Sequence, residues 1–191
     1  MKKQKREGPG NSKAIARKKQ AVAAIAIGAI VALGMALVLA FSGESNEPGD
    51  EGGSRILSVA ALREAVSGSV TPVYWAGERA GTKLELTRPD PSHTYVRYLT
   101  GDAEAGTHNA TFLTVATYAR QHPVEELRRQ GHAPGVVLGE APGGAVVYYN
   151  RNHPQSVYVA YPGVDAQIEV YDPDVRRALQ LVNSGQIVAL G

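Results

Sequence analysis

Hydrophobic and polar residues follow three regimes along this chain. From 21 to 41, AVAAIAIGAIVALGMALVLAF, the residues carry no charge and no strongly polar side chain. At 1.5 Å per residue a helix over such a stretch is roughly 30 Å long, the thickness of a bilayer core. A buried helix of a soluble domain normally keeps a polar stripe, and this run has none. The pattern therefore predicts one transmembrane helix over 21–41. From 42 to 54, SGESNEPGDEGGS, large apolar residues vanish and an acidic, flexible tether is expected. From 55 to 191 the pattern breaks into short runs with alternation, separated by glycine and proline, and three times gives way to helical spacing.

Within that third region Ser54 is placed to cap a helix reaching about Ser67, with Val59, Leu62 and Val66 on one side and Gly68 as its stop. Four strands are expected next: PVYWAG (72–77), KLELTR (83–88), TYVRYL (94–99) and FLTVATYA (112–119). HPVEELRRQG (122–131) reads as a helix, with Pro123 in its first turn, Glu125 and Glu126 near its start, and Arg128 and Arg129 near its end. Four more strands follow: GVVLGE, AVVYYNR, SVYVAYP and QIEVYD. The last helix is expected over 172–185, with Asp172 as cap and Val175, Ala178, Leu179 and Val182 as its apolar face. QIVAL is read as a final short strand.

The two halves resemble each other. Set without a gap against 144–161, residues 81–98 share Gly81/Gly144, Arg88/Arg151, Pro91/Pro154, Tyr95/Tyr158, Val96/Val159 and Tyr98/Tyr161. Tyr118 then matches Tyr171 if GDAEAGTHNA (101–110) is an extra loop of the first half. The expected architecture is α+β, with mostly antiparallel sheet covered by helices and a tandem ββββα repeat. The division is a basic cytoplasmic tail (1–20), the transmembrane helix, the tether, and one extracytoplasmic domain (55–191).

Charge fixes the orientation. The formal net charge of +2 hides eight bases in the first twenty residues (Lys2, Lys3, Lys5, Arg6, Lys13, Arg17, Lys18 and Lys19) against Glu7 alone. The positive-inside rule puts that tail in the cytoplasm, facing anionic lipid headgroups, and residues 42–191 outside. A cleaved signal peptide, with Val38 and Ala40 at its cleavage site, is the alternative, but the apolar run exceeds a typical signal core. Residues 55–191 hold 12 bases and 13 acids, so the basic balance belongs to the tail and no nucleic-acid partner is expected. Ala24, Gly28, Ala32 and Ala36 form a four-residue stripe, continued by Ala40, that would let two such helices approach closely and homodimerise.

The candidate chemistry is thin. The chain has no cysteine, which removes disulfides, thiol nucleophiles and Cys-based zinc sites. His93, His108, His122, His132 and His153 show no metal-binding spacing. There is no nucleophile elbow, and GEAPGG (139–144) leads into no helix, so it reads as a turn rather than a phosphate loop. No cofactor or metal is expected. A convergence of Asp90, His93, Arg97, Asp102 and His108 in one cleft would point to an enzyme. The remaining candidate is aromatic: Tyr74, Trp75 and Tyr95 can stack on sugars or peptides, and Arg97 can pair with a carboxylate.

PVYWAG, LELTR (84–88), YVRYL (95–99), FLTVATY (112–118), SVYVAYPG (156–163) and QIEVYDP (167–173) resemble a group of uncharacterised secreted or membrane-anchored proteins of high-GC actinobacteria. The resemblance covers nearly all of the outer domain. It implies the fold and the location, and it carries no activity. The expected function is a single-pass, membrane-anchored extracytoplasmic binding module for a protein or cell-envelope partner. A cell-envelope hydrolase or transferase is the alternative.

Overall fold

The computed structural model describes residues 53–107 and 109–191. The tail, the span at 21–41 with its Ala24, Gly28, Ala32, Ala36 stripe, nearly all of the tether, and His108 lie outside the described residues. Among the described residues no helix is long and apolar enough to cross a membrane.

Among the described residues the architecture is α+β, mostly antiparallel sheet with three α-helices. In chain order the elements are β1 (Arg55–Leu57), α1 (Val59–Val66), β2 (Tyr74–Trp75), β3 (Thr82–Asp90), β4 (His93–Thr100), β5 (Thr114–Ala119), α2 (Pro123–Gln130), β6 (Val136–Ala141), β7 (Ala145–Asn150), β8 (His153–Ala160), β9 (Ala166–Tyr171), α3 (Val175–Asn183) and β10 (Val188–Ala189). Eight strands form one sheet in the order β1-β3-β4-β5-β9-β8-β7-β6, and β2 pairs with β10 separately. Every pairing is antiparallel.

The period-two alternation gives the sheet two different faces. On one, Leu86, Val96, Val115, Val170 and Val157 follow each other across successive strands. This apolar face is buried under α1 (Leu62, Val66), α3 (Ala178, Leu181, Val182) and the segments around β2 and β10. Removing a side chain such as fully buried Leu62 would cost about 2–5 kcal/mol. The opposite face carries Glu85, Arg97, Thr114 and Tyr171 in one row and Tyr95, Ala116, Glu169, Tyr158 and Tyr148 in the next. Helix α2 lies over β7 and β8. At its exit, Gly131 has no Cβ because the Leu138 methyl would stand 3.0 Å from one.

The sheet is mirrored about its β5–β9 seam. Tyr95, Val96, Tyr98 and Tyr118 set on Tyr158, Val159, Tyr161 and Tyr171 reproduce the strand pairing: His93 faces Tyr118, and Ser156 faces Tyr171. The outer hairpins differ by a slip of two. Leu84 faces Tyr98, whereas Val147 faces Val159. A slip of two keeps every side chain on its own face, so the core survives it.

Three local expectations change. Residues Arg55–Leu57 form an edge strand against β3, and Ser58 rather than Ser54 caps α1, its hydroxyl accepting from the Ala61 N–H. Ser54 instead hydrogen-bonds Thr87 at 2.7 Å. PVYWAG contributes only the two-residue β2, outside the main sheet, so the first half takes its outer strand from β1. Asp174, not Asp172, caps α3, and on that helix Leu181 joins the core, Leu179 lies at its margin and Val175 is exposed.

Candidate functional site

Glu85, Arg97 and Glu169 all stand on the second face, and alternation puts them there. In KLELTR, Leu84 and Leu86 face the core, so Glu85 must face the other way. In TYVRYL, Val96 and Tyr98 face the core, so Tyr95 and Arg97 point opposite. Antiparallel register then sets Glu85 directly across from Arg97.

Both are almost fully buried, with exposures of 0% and 1%. One guanidinium nitrogen donates to Glu85 Oε1 at 2.8 Å. The other donates to the carbonyls of Thr107 at 2.8 Å and Asn109 at 3.2 Å. Glu85 Oε2 accepts from the Gly106 N–H at 2.9 Å. Arg97 also lies over the Phe112 ring, 5.4 Å from its centre. The pair is thus a strut that clasps the 101–110 loop by its backbone. Such a pair offsets its desolvation only because nearly every donor and acceptor is used.

A second cluster centres on Glu169, also fully buried. Its Oε2 accepts from the Tyr118 hydroxyl at 2.8 Å. Its Oε1 accepts from Ser156 at 2.7 Å and Tyr158 at 3.3 Å. Burial pushes the Glu169 carboxyl up, and the three hydroxyls offset only part of that. The same surroundings act on the tyrosines. Burial, then the Glu169 and Asp90 carboxylates, push Tyr95 up to about 12. Burial, then Glu169, holds Tyr118 and Tyr158 well above the ordinary phenol range.

At the β3–β4 turn, Asp90 Oδ2 lies 2.6 Å from His93 Nδ1, and Asp90 Oδ1 accepts from the Ser92 N–H. Partial burial pushes the Asp90 carboxyl up, but the hydrogen bonds from His93 and Ser92 outweigh it and hold it low. The His93 ring meets Tyr118 edge to face at 5.3 Å. A chain of contacts thus runs from a partly exposed Asp–His pair through Tyr118 to buried Glu169.

The sequence-derived site residues do not gather into one surface. Tyr74 and Trp75 are buried on the apolar side, where Tyr74 stacks on Tyr161 at 5.3 Å and the Trp75 ring lies beneath Arg63. Tyr95 and Arg97 are buried on the other side of the sheet. Tyr74 and Trp75 therefore share no face with Tyr95 and Arg97, and the four form two separate buried clusters. Of the proposed catalytic set, Asp90 and His93 meet, Arg97 is held by Glu85, and Asp102 is exposed in the 101–110 loop. Glu169 and Glu85 were missed. Their signal was a carboxylate at the centre of an alternating strand, at a position whose two sequence neighbours face the core.

The chain matches no known protein-family model, no curated protein and no solved structure.

Proposed function

We propose that this chain is a single-pass membrane protein whose domain lies outside the membrane and binds a protein or cell-envelope partner. The apolar run at 21–41, the basic residues before it and the likeness to secreted and anchored actinobacterial proteins support the location. One observation carries the binding reading: the sheet directs its buried charges inward, to Arg97–Glu85 and Glu169, and leaves an edge strand, β6, open to solvent. The mirrored pairing about the β5–β9 seam supports descent from a tandem ββββα unit.

The test is photo-cross-linking in intact cells, with the probe placed in turn at exposed Ile56, Leu138 and Val188. A discrete adduct from at least one of them is expected. A full set of silent positions would overturn the reading. For orientation, protease outside intact spheroplasts should remove 55–191, and full protection would reverse the topology.

An envelope hydrolase is the second reading, favoured by the Asp90–His93 pair, which has the geometry of a carboxylate-oriented imidazole. Turnover of activated ester or glycoside probes, abolished in His93→Gln, would favour it over the binding module.

A further inference from the structure

We infer that the outer edge of β6 receives an extended peptide strand of a partner, paired antiparallel, with a basic residue, an aromatic residue and an aliphatic residue in that order along the peptide. This deepens the binding reading above and rests on it.

The two edges of the sheet are protected unequally. Edge strands expose a row of unpaired N–H and C=O groups, and proteins usually blunt them with shortness, bulges, proline or charged side chains, lysine above all. The β1 edge has only three residues and begins with Arg55. The β6 edge runs for six residues, VVLGEA, with no lysine, arginine or proline inside it and Glu140 as its single charge. Its register on β7 is unbroken from Val136 to Ala141, so no bulge twists it away. Among the described residues no strand pairs with its outer side.

The side chains along it define the partner. Leu138 and Glu140 face Tyr148 and Val146 on the same side of the sheet, and both are exposed. Leu138 keeps 42% of its surface open. Between them Gly139 points to the other side, and a Cβ there would meet nothing within 4 Å. A residue paired opposite a glycine has free space above the backbone, and an aromatic ring there covers the gap. A base opposite Glu140 completes a cross-strand charge pair, and an aliphatic residue opposite Leu138 covers its open surface.

The edge also argues for a peptide over a second copy. Six residues make a strip roughly 20 Å long and roughly 10 Å thick, far short of the ~800 Å² per partner of a stable protein–protein interface. An extended segment draws its affinity from backbone pairing and alternate side-chain pockets, and needs no larger area.

The experiment is fluorescence anisotropy with the full chain in detergent and a short labelled peptide carrying central Arg-Phe-Val between threonine-rich flanks. Binding should saturate and weaken by about tenfold or more in Leu138→Lys, which puts a blunting lysine on the edge. Glu140→Lys should weaken it as well, and a peptide with Glu-Phe-Val should restore binding to that variant. Gly139→Val should reduce the preference for Phe over Ala at the central position. Thermal melts matching the parent chain will show that each variant is folded. The proposal falls if the peptide does not bind, if Leu138→Lys binds it unchanged, or if the edge instead drives dimerisation that Leu138→Lys abolishes. Adducts from Ile56 or Val188 alongside a negative peptide result would keep the binding module and remove the β6 edge from it.

Discussion

The half of the sheet built from β3, β4 and β5 and the half built from β7, β8 and β9 share a frame and differ in what they bury. Tyr98 and Tyr161 occupy matching places and do matching work. The Tyr98 hydroxyl accepts from the Ala76 N–H at 2.7 Å and donates to the Gly77 carbonyl at 3.1 Å. The Tyr161 hydroxyl donates to the Ile187 carbonyl at 2.9 Å. Each tyrosine therefore pins one flank of the β2–β10 ribbon, which crosses the apolar face. On the second face the halves diverge. Arg97 in one half is matched by Ala160 in the other, and Glu169 is matched by Ala116. Each half buries a charge where the other holds a methyl group. Neither charge is required by the frame, so each is an addition with its own purpose. The Arg97 charge holds a long loop that the second half lacks. The Glu169 carboxyl holds the hydroxyls of Tyr118, Ser156 and Tyr158 together.

The comparison can be broken most forcefully at the strut. Arg97→Met leaves Glu85 buried without its partner and should cost about 3–5 kcal/mol in urea unfolding. Proteases should then cut the 101–110 loop at once. Adding Glu85→Leu to that variant should recover most of the stability while leaving the loop loose, which separates the cost of a stranded charge from the loss of the clasp. Equal instability in the single and double variants would contradict this account.

Glu169 should respond in a second way. Its pKa is raised on folding, so the folded state holds its proton more tightly than the unfolded chain does. Its contribution is fully present below the ordinary carboxyl range and is lost as pH rises through the raised value. Glu169→Ala, which strands three buried hydroxyls, should cost about 1–3 kcal/mol. Glu169→Gln should flatten the pH dependence of the melting temperature above the carboxyl range. A Gln variant with the parent's pH profile would show that another group controls it.

Smaller effects test the shared frame. Tyr98→Phe removes a hydroxyl that makes two hydrogen bonds, and Tyr161→Phe one that makes a single bond. Losses of about 1–2 and about 0.5–1.5 kcal/mol are expected, measured by thermal melts at one pH. Near-equal losses would mean that the ribbon's two flanks are held more alike than these contacts indicate.

Much of the frame was legible because it depends on local rules. Period-two alternation located β3 to β9, and Pro123 with its acidic and basic neighbours located α2. The matched tyrosines occupy equivalent places in the β4–β5 and β8–β9 pairings. The errors came where two local signals competed. Ser54 and Ser58 both offered a hydroxyl before an apolar run, and only pairing of Arg55–Leu57 with β3 decided between them. Asp172 and Asp174 posed the same choice. There the Asp172 carboxylate accepts from the Asp174 N–H and Asp174 accepts from the Arg176 N–H. The site was less legible, because burial is a property of the whole fold. Arg97 drew notice as a cation among aromatics, and its neighbour Glu85 did not, although the hairpin sets them face to face. Glu169 carries no motif at all; it is recognisable only once three strands bring Tyr118, Ser156 and Tyr158 to it.

The short β1 strand has a mechanical consequence. It is the first strand after the predicted anchor, and it joins the sheet through Arg55 opposite Leu86 and Leu57 opposite Leu84, with the Ser54 hydroxyl on Thr87 just ahead of it. Tension drawn from the N-terminal side would therefore arrive at an outer edge and meet those contacts before the core. The strand would peel away while α1, whose cap Ser58 lies beyond it, stays seated on the core. Among the described elements β1 is thus the first that a pull on the N-terminal side would reach.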